Sequence, residues 1–283
     1  MNKESESRIK ELPIKVVFMG RKPGSCKALE YLIKNGIQVE VVVTLPRIYH
    51  TFYNERLADI ANNYGIPVVS DIDLYKYINN EKNGKKKNFN FSLENIDLVI
   101  SYLFWRRIQN PLIKLPRLGC INFHPAPLPD FKGVFGYNLA IYENLKYWGV
   151  SAHHVIHELD AGDIIKVFKF DIDPKKETTI SLERKSQQFL YNLFESVIDD
   201  FLEKKILPRF PNEGGRYTHA QEFTTLRRIN FSDSQDEIDR KIRASWYPPY
   251  NGAFIEINGK EYTIINEEIL KRIGRYYHFN SEF

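Results

Sequence analysis

The chain has 283 residues, 43% hydrophobic and 27% charged, with 40 Lys and Arg against 36 Asp and Glu. That length buries a full core, as one large domain or one plus a small second one, and a net charge of +4 is too weak and mixed to indicate a polyanion-binding face. MNKESESRIKELP has no apolar run for a signal peptide, no stretch reaches the roughly 18 apolar residues of a membrane span, and Cys26 and Cys120, the only cysteines, make neither a disulfide framework nor zinc spacing, so a soluble cytoplasmic protein with reduced thiols is expected.

In chain order, IKVVFMG (14–20) reads as a buried strand closed by Gly20. Ser25 is placed to cap a helix running to about Lys34, which Asn35-Gly36 terminates. The loop between them, GRKPGS, is neither G-x-G-x-x-G nor a Walker sequence. It is read as a strand-to-helix turn, which removes dehydrogenases and NTPases. QVEVVVT (38–44) is a second strand and NERLADIANNYG (54–65) an amphipathic helix ending at Gly65. IPVV (66–69), IDLVIS (96–101) and LGCINF (118–123) are three further strands. NEKNGKKKNFN (80–90) reads as a solvated insertion rather than a basic nucleic-acid contact, its alternative, because no Arg or aromatic residue interleaves its lysines.

GVSAHHVIH (149–157) alternates as a strand, and DIIKVFKFDI (163–172) pairs with it across LDAG. Residues 178–205 form one long amphipathic helix, and Pro208, Pro211 and Gly214-Gly215 mark a linker. A helix at about 233–244 and a hairpin AFIEINGKEYTII, with Asn258-Gly259 at its tip, complete the chain. Near-continuous apolar strands alternating with helices predict an α/β fold. It is Rossmann-like, a doubly wound and mostly parallel sheet, followed by a small C-terminal α+β module. The expected boundary divides 1–205 from 206–283.

CINFHPAPLPDFKG (120–133) places Asn122 and His124 on one face of a strand end. Pro125, Pro127 and Pro129 then force a stiff extended loop. Asp160, in the turn after the neighbouring strand, completes a constellation with two readings. A carboxylate that orients an imidazole, beside an amide that donates to a developing oxyanion, is what acyl transfer to an amine requires. The other reading is three ordinary turn residues. His153, His154 and His157 do not make a metal site, since His153 and His157 would lie about 13 Å apart along a strand. They are read as structural histidines or as supports for the neighbouring site.

INFHPAPLPDFKG followed by GVSAHHVIHELDAGDII resembles the paired motifs of the folate-dependent formyltransferase family. The likeness runs in order through most of 12–172 and, more weakly, through RASWYPPYNGAF (243–254), with Ala126 standing where Ser is usual. The resemblance implies the formyltransferase fold and 10-formyltetrahydrofolate as co-substrate, with no metal. It carries catalytic roles onto Asn122, His124 and Asp160. A folate pocket lined by Tyr102, Leu103, Phe104, Trp105 and the loop around Asp160 is likewise implied. Phe104 and Trp105 are either walls of that pocket or core.

Within the family, methionyl-tRNA enzymes resemble one another in a basic loop after the second strand and in a larger C-terminal barrel. Here the corresponding loop is TLPRIYHTFYNE (44–55), with a single Arg, and the C-terminal piece is short and aromatic. The pattern is similar to that of the sugar N-formyltransferases, implying a dTDP- or UDP-linked aminodeoxy sugar for surface polysaccharide. It implies no nucleic-acid or membrane partner and a homodimer. Tyr217, Trp246, Tyr247 and Tyr250 then stack a base or sugar face, or else form a packing surface. A methionyl-tRNA enzyme and a non-catalytic folate- or nucleotide-binding relative are the alternatives.

Overall fold

The computed structural model describes residues 13–44, 56–82 and 90–280. Most of the loop at 44–55 and most of the lysine-rich insertion therefore lie outside the described residues. The chain divides into two compact units, 1–122 and 123–283, and the division falls inside one strand.

In the first unit, β1 (Lys15–Gly20), α1 (Pro23–Lys34), β2 (Gln38–Val43), α2 (Leu57–Asn63), β3 (Val68–Val69), α3 (Asp71–Lys82) and β4 (Leu98–Tyr102) alternate before β5 (Gly119–His124). β1 pairs in parallel with β2 and β4, and β2 with β3. Val16 to Met19, Val41 to Val43, Val99 and Ile100 are fully buried, as expected of parallel strands, whose side chains are covered on both faces. Helix α1 starts three residues earlier than a cap at Ser25 implies. Lys22 is its N-cap without a side-chain bond, and Pro23 occupies the first turn, where its fixed φ and missing N–H cost nothing. Ser25 is instead inside the helix, its hydroxyl donating to the Lys22 carbonyl. α3 was not legible from the apolar pattern.

In the second unit, β5 leads to β6 (Phe131–Gly133), α4 (Gly136–Tyr142), β7 (Tyr147–His154), β8 (Ile164–Asp171) and the 26-residue α5 (Thr179–Lys204). β7 and β8 are antiparallel, with Tyr147 opposite Asp171 and His153 opposite Ile164. The strand order is β3-β2-β1-β4-β5-β7-β8, with β5 the strand that both units share. The sheet is thus mostly parallel with an antiparallel edge. α5 buries Leu182, Ser186, Leu190, Leu193, Phe194, Val197 and Phe201 at spacings of three and four, and Phe194 meets Phe123 with ring centroids 4.8 Å apart.

The chain continues through β9 (Arg216–Thr218), α6 (Ala220–Leu226), α7 (Gln235–Ser245), β10 (Phe254–Ile257), β11 (Lys260–Thr263) and α8 (Glu267–Asn280). Ile229, Ile242, Ala253 and Ile269 form a separate small cluster. β10 and β11 make the expected hairpin, with Asn258 and Gly259 at φ 50° and 74°, the positive values that a tight two-residue hairpin turn requires. Among the described residues no helix is long and apolar enough to cross a membrane.

Candidate functional site

His124 ends β5, 7% exposed. The loop that follows is held rigidly by β7. The Trp148 indole N–H donates to the Pro125 carbonyl at 3.1 Å, and the Ser151 hydroxyl bridges the Ala126 carbonyl and the Leu128 N–H at 2.8 Å each. His124 Nδ1 lies 3.6 Å from Asp160 Oδ2, while its Nε2 is buried and has no hydrogen-bond partner among the described residues. Native interiors rarely tolerate such an atom. Burial pushes the imidazole below its ordinary value, against the opposing pull of Asp160. His124 is therefore neutral near pH 7 and carries one unused ring nitrogen.

Asp160 occupies the turn between β7 and β8 at φ 50°, a left-handed conformation uncommon for a non-glycine residue. Its carboxylate accepts the Gly133 N–H at 3.0 Å, and its Oδ1 lies 3.5 Å from His153 Nε2. Burial alone raises the Asp160 carboxyl. The facing His124 and His153 imidazoles and the Gly133 N–H outweigh that and hold it well below the usual carboxylate range. His153 in turn donates from Nδ1 to the His154 carbonyl at 2.8 Å. His154 bonds the Pro208 carbonyl instead, and His157 lies beyond the end of β7, exposed. Among the described residues no group of three His, Cys, Asp or Glu is placed to hold a metal ion.

Asn122 stands two residues before His124 on β5. The Ser101 hydroxyl donates to its Oδ1 at 2.7 Å, which turns the amide N–H₂ away from Ser101. Tyr102 is fully buried at the end of β4, Leu103 turns left-handed at φ 54°, and Phe104 and Trp105 are half-buried with centroids 4.4 Å apart. Tyr217 is 42% exposed on β9, with Lys132 Nζ 5.5 Å from its ring centroid. Trp246 packs against the Ile229–Ile269 cluster, and Tyr247 pairs with the exposed Tyr250 at 5.7 Å. A cavity of about 420 Å³ in the second unit, lined by Ile165, Val167, Val197, Leu207 and Phe210, holds none of these residues.

Gly133, His153 and Asn212 complete the surroundings of Asp160 in the second unit, and Ser101 orients Asn122 in the first. Ser101 carried a faint signal, as the one small polar residue in the buried run LVISY. Gly133 and Asn212 act through a backbone N–H and a distant loop.

A strand-end imidazole beside an ionised carboxylate, with an oriented amide two residues away in sequence, is an arrangement able to serve acyl transfer. The formyl transferase model matches residues 14–198, and the formyl transferase C-terminal domain matches 224–276. This chain belongs to the formyl transferase family. It is 28% identical over 257 residues to a methionyl-tRNA formyltransferase of Thermotoga neapolitana, covering 88% of this chain and 77% of that one. Its fold is similar to that of an N-formyltransferase from Helicobacter canadensis in complex with folinic acid and dTDP-3-aminofucose. The TM-score is 0.67 at 22% identity, over 88% of this chain and 86% of that one. A 4-N formyltransferase from Francisella tularensis matches with a TM-score of 0.68 at 22% identity, over 90% and 97%. The family uses 10-formyltetrahydrofolate as its formyl donor.

Proposed function

We propose that this protein transfers the formyl group of 10-formyltetrahydrofolate to the amine of a dTDP- or UDP-linked aminodeoxy sugar, a step in making surface polysaccharide. Residues 1–205 carry the reaction and 206–283 form the small aromatic module. The observation that carries the chemistry is His124, with Asp160 at one ring nitrogen and a buried, unused nitrogen at the other. Those residues fit the folate co-substrate, which supplies a formyl carbon already activated for attack. No covalent enzyme intermediate is then required.

His124 takes the amine proton at Nε2 as the new carbon–nitrogen bond forms. It returns that proton to the folate nitrogen as the old bond breaks. Asp160, too acidic to serve as the base itself, stabilises the imidazolium and fixes its orientation. Asn122 donates from its amide to the formyl oxygen as negative charge develops there, and the Ser101 bond holds it in that orientation. Phe104 and Trp105 offer apolar faces to the folate ring, and Tyr247 and Tyr250 to the acceptor.

The sugar acceptor is supported by the neutrality of the C-terminal module. Residues 206–283 hold eleven Lys and Arg against eleven Asp and Glu, whereas tRNA affinity rests on many phosphate contacts. The Helicobacter protein of similar fold is described with dTDP-3-aminofucose. A methionyl-tRNA acceptor is the second reading, favoured by the Thermotoga relative. The two separate in one experiment. The protein is incubated with 10-formyltetrahydrofolate and, in parallel, dTDP- and UDP-linked 3-amino and 4-amino sugars or methionyl-tRNA, and acceptor masses are followed. One added formyl group on a nucleotide sugar is expected. Transfer to methionyl-tRNA alone would overturn the sugar reading.

A further inference from the structure

We propose that Asn212 is a positioning residue that clamps the Asp160 turn, an inference resting on the roles given above to Asp160 and His124. Asn212 lies in the segment that reads as a linker, yet it is only 9% exposed. Its side-chain amide donates both hydrogens across the turn, to the Asp160 carbonyl at 2.9 Å and the Gly162 carbonyl at 2.8 Å. Asp160 is left-handed, and Gly162 sits so close that a Cβ there would lie 1.9 Å from the His154 carbonyl oxygen. A turn this constrained needs partners for its carbonyls, and Asn212 supplies them.

The clamp is itself anchored. Phe210 exchanges two backbone hydrogen bonds with Ile164, at 2.8 and 2.9 Å. The buried Lys132 Nζ donates to the Asn212 carbonyl at 3.2 Å and the Gly214 carbonyl at 2.9 Å. The residue after Lys132 is Gly133, whose N–H bonds the Asp160 carboxylate. A closed circuit therefore runs from β6 through Asn212 to the Asp160 backbone, and from the Asp160 side chain back to β6. The separation of 3.6 Å between that carboxylate and His124 is set from both ends.

Asn212→Leu, which keeps the volume and removes both donors, tests this. The expected result is a fall in kcat of about tenfold or more, the scale of a small misplacement in a catalytic site. The folate KM should stay within about twofold of the parent value. In the free protein, the His124 imidazole followed by NMR should titrate at a lower pH, because Asp160 no longer supports its protonated form. A role confined to packing would lower thermal stability while leaving the titration where it is, and that result overturns the proposal. If Asn212→Leu does not fold, Lys132→Met must shift the titration in the same direction, and no shift there overturns it equally. The titration needs no acceptor. A shifted His124 in a protein that transfers no formyl group would uphold the clamp and sink the proposed function; an unshifted one in an active enzyme would do the reverse.

Discussion

His124 is buried, neutral and bonded on one side only, so its contribution to turnover should exceed its contribution to folding. His124→Ala is expected to reduce turnover about a hundredfold or more with folate still bound, as measured by steady-state rates and fluorescence titration. Asn122→Ala should likewise lower turnover far more than folate affinity, since the proposed contact with the formyl oxygen matters mainly in the transition state. Acid should also weaken the fold. The His124 value in the native state lies below 6.5, so between those values the unfolded chain binds more protons and stability falls as pH drops below 6.5. Asp160 lies below the ordinary 3.8 in the native state, so its contribution is present above that value and is lost on further acidification. Urea midpoints measured from pH 8 to pH 4 should decline below about 6.5, and His124→Gln should flatten the first part of that decline. Asn122, His124 and Asp160 stood out as candidates because each sits beside a local signal (a strand end, a proline run, a D-x-G turn) and because the motifs around them resemble those of the family. Ser101 reaches Asn122 across 21 positions of sequence, and Gly133 and Asn212 reach Asp160 across 27 and 52; no local pattern encodes which partner such a residue meets.

At the scale of elements, boundaries with strong caps carry measurable stability. Thr178 caps α5 and shares a capping box with Ser181, so Thr178→Ala should cost about 1 kcal/mol in urea unfolding. Gly215 stands at φ 67°, where a Cβ would come within 1.7 Å of the Pro129 carbonyl oxygen. Gly215→Ala should cost more than the Thr178 change, because the strain is in backbone that cannot move aside. The long, strongly patterned elements β1, β2, β4, β5, β8 and α5 were readable from apolar periodicity alone. β6, three residues long, pairs in parallel with β9, from Phe131 opposite Arg216 to Gly133 opposite Thr218. Pairing of that kind leaves no alternation long enough to detect. The same contact explains why 206–218 reads as a linker: its prolines and glycines are real, but they bend the segment against β6 and β8 rather than freeing it.

The balanced charge of residues 206–283 bears on the whole molecule. An enzyme that gains affinity from tRNA phosphates loses it steeply with salt. One acting on a nucleotide sugar makes at most two phosphate contacts, so kcat/KM should change by about tenfold or less between 50 and 200 mM salt. We propose that the aromatic C-terminal module supports a homodimer. Sedimentation at micromolar concentration should show twice the chain mass, and a monomer would remove that part of the account. The central claim is that this site moves a formyl group from folate to an amine, and its most direct test is stoichiometric. Tetrahydrofolate release and acceptor formylation would be measured together, with and without the amino sugar nucleotide. The account predicts one tetrahydrofolate for each formylated acceptor and essentially none without the amine. Folate that binds yet yields no tetrahydrofolate with any acceptor, methionyl-tRNA included, would contradict it.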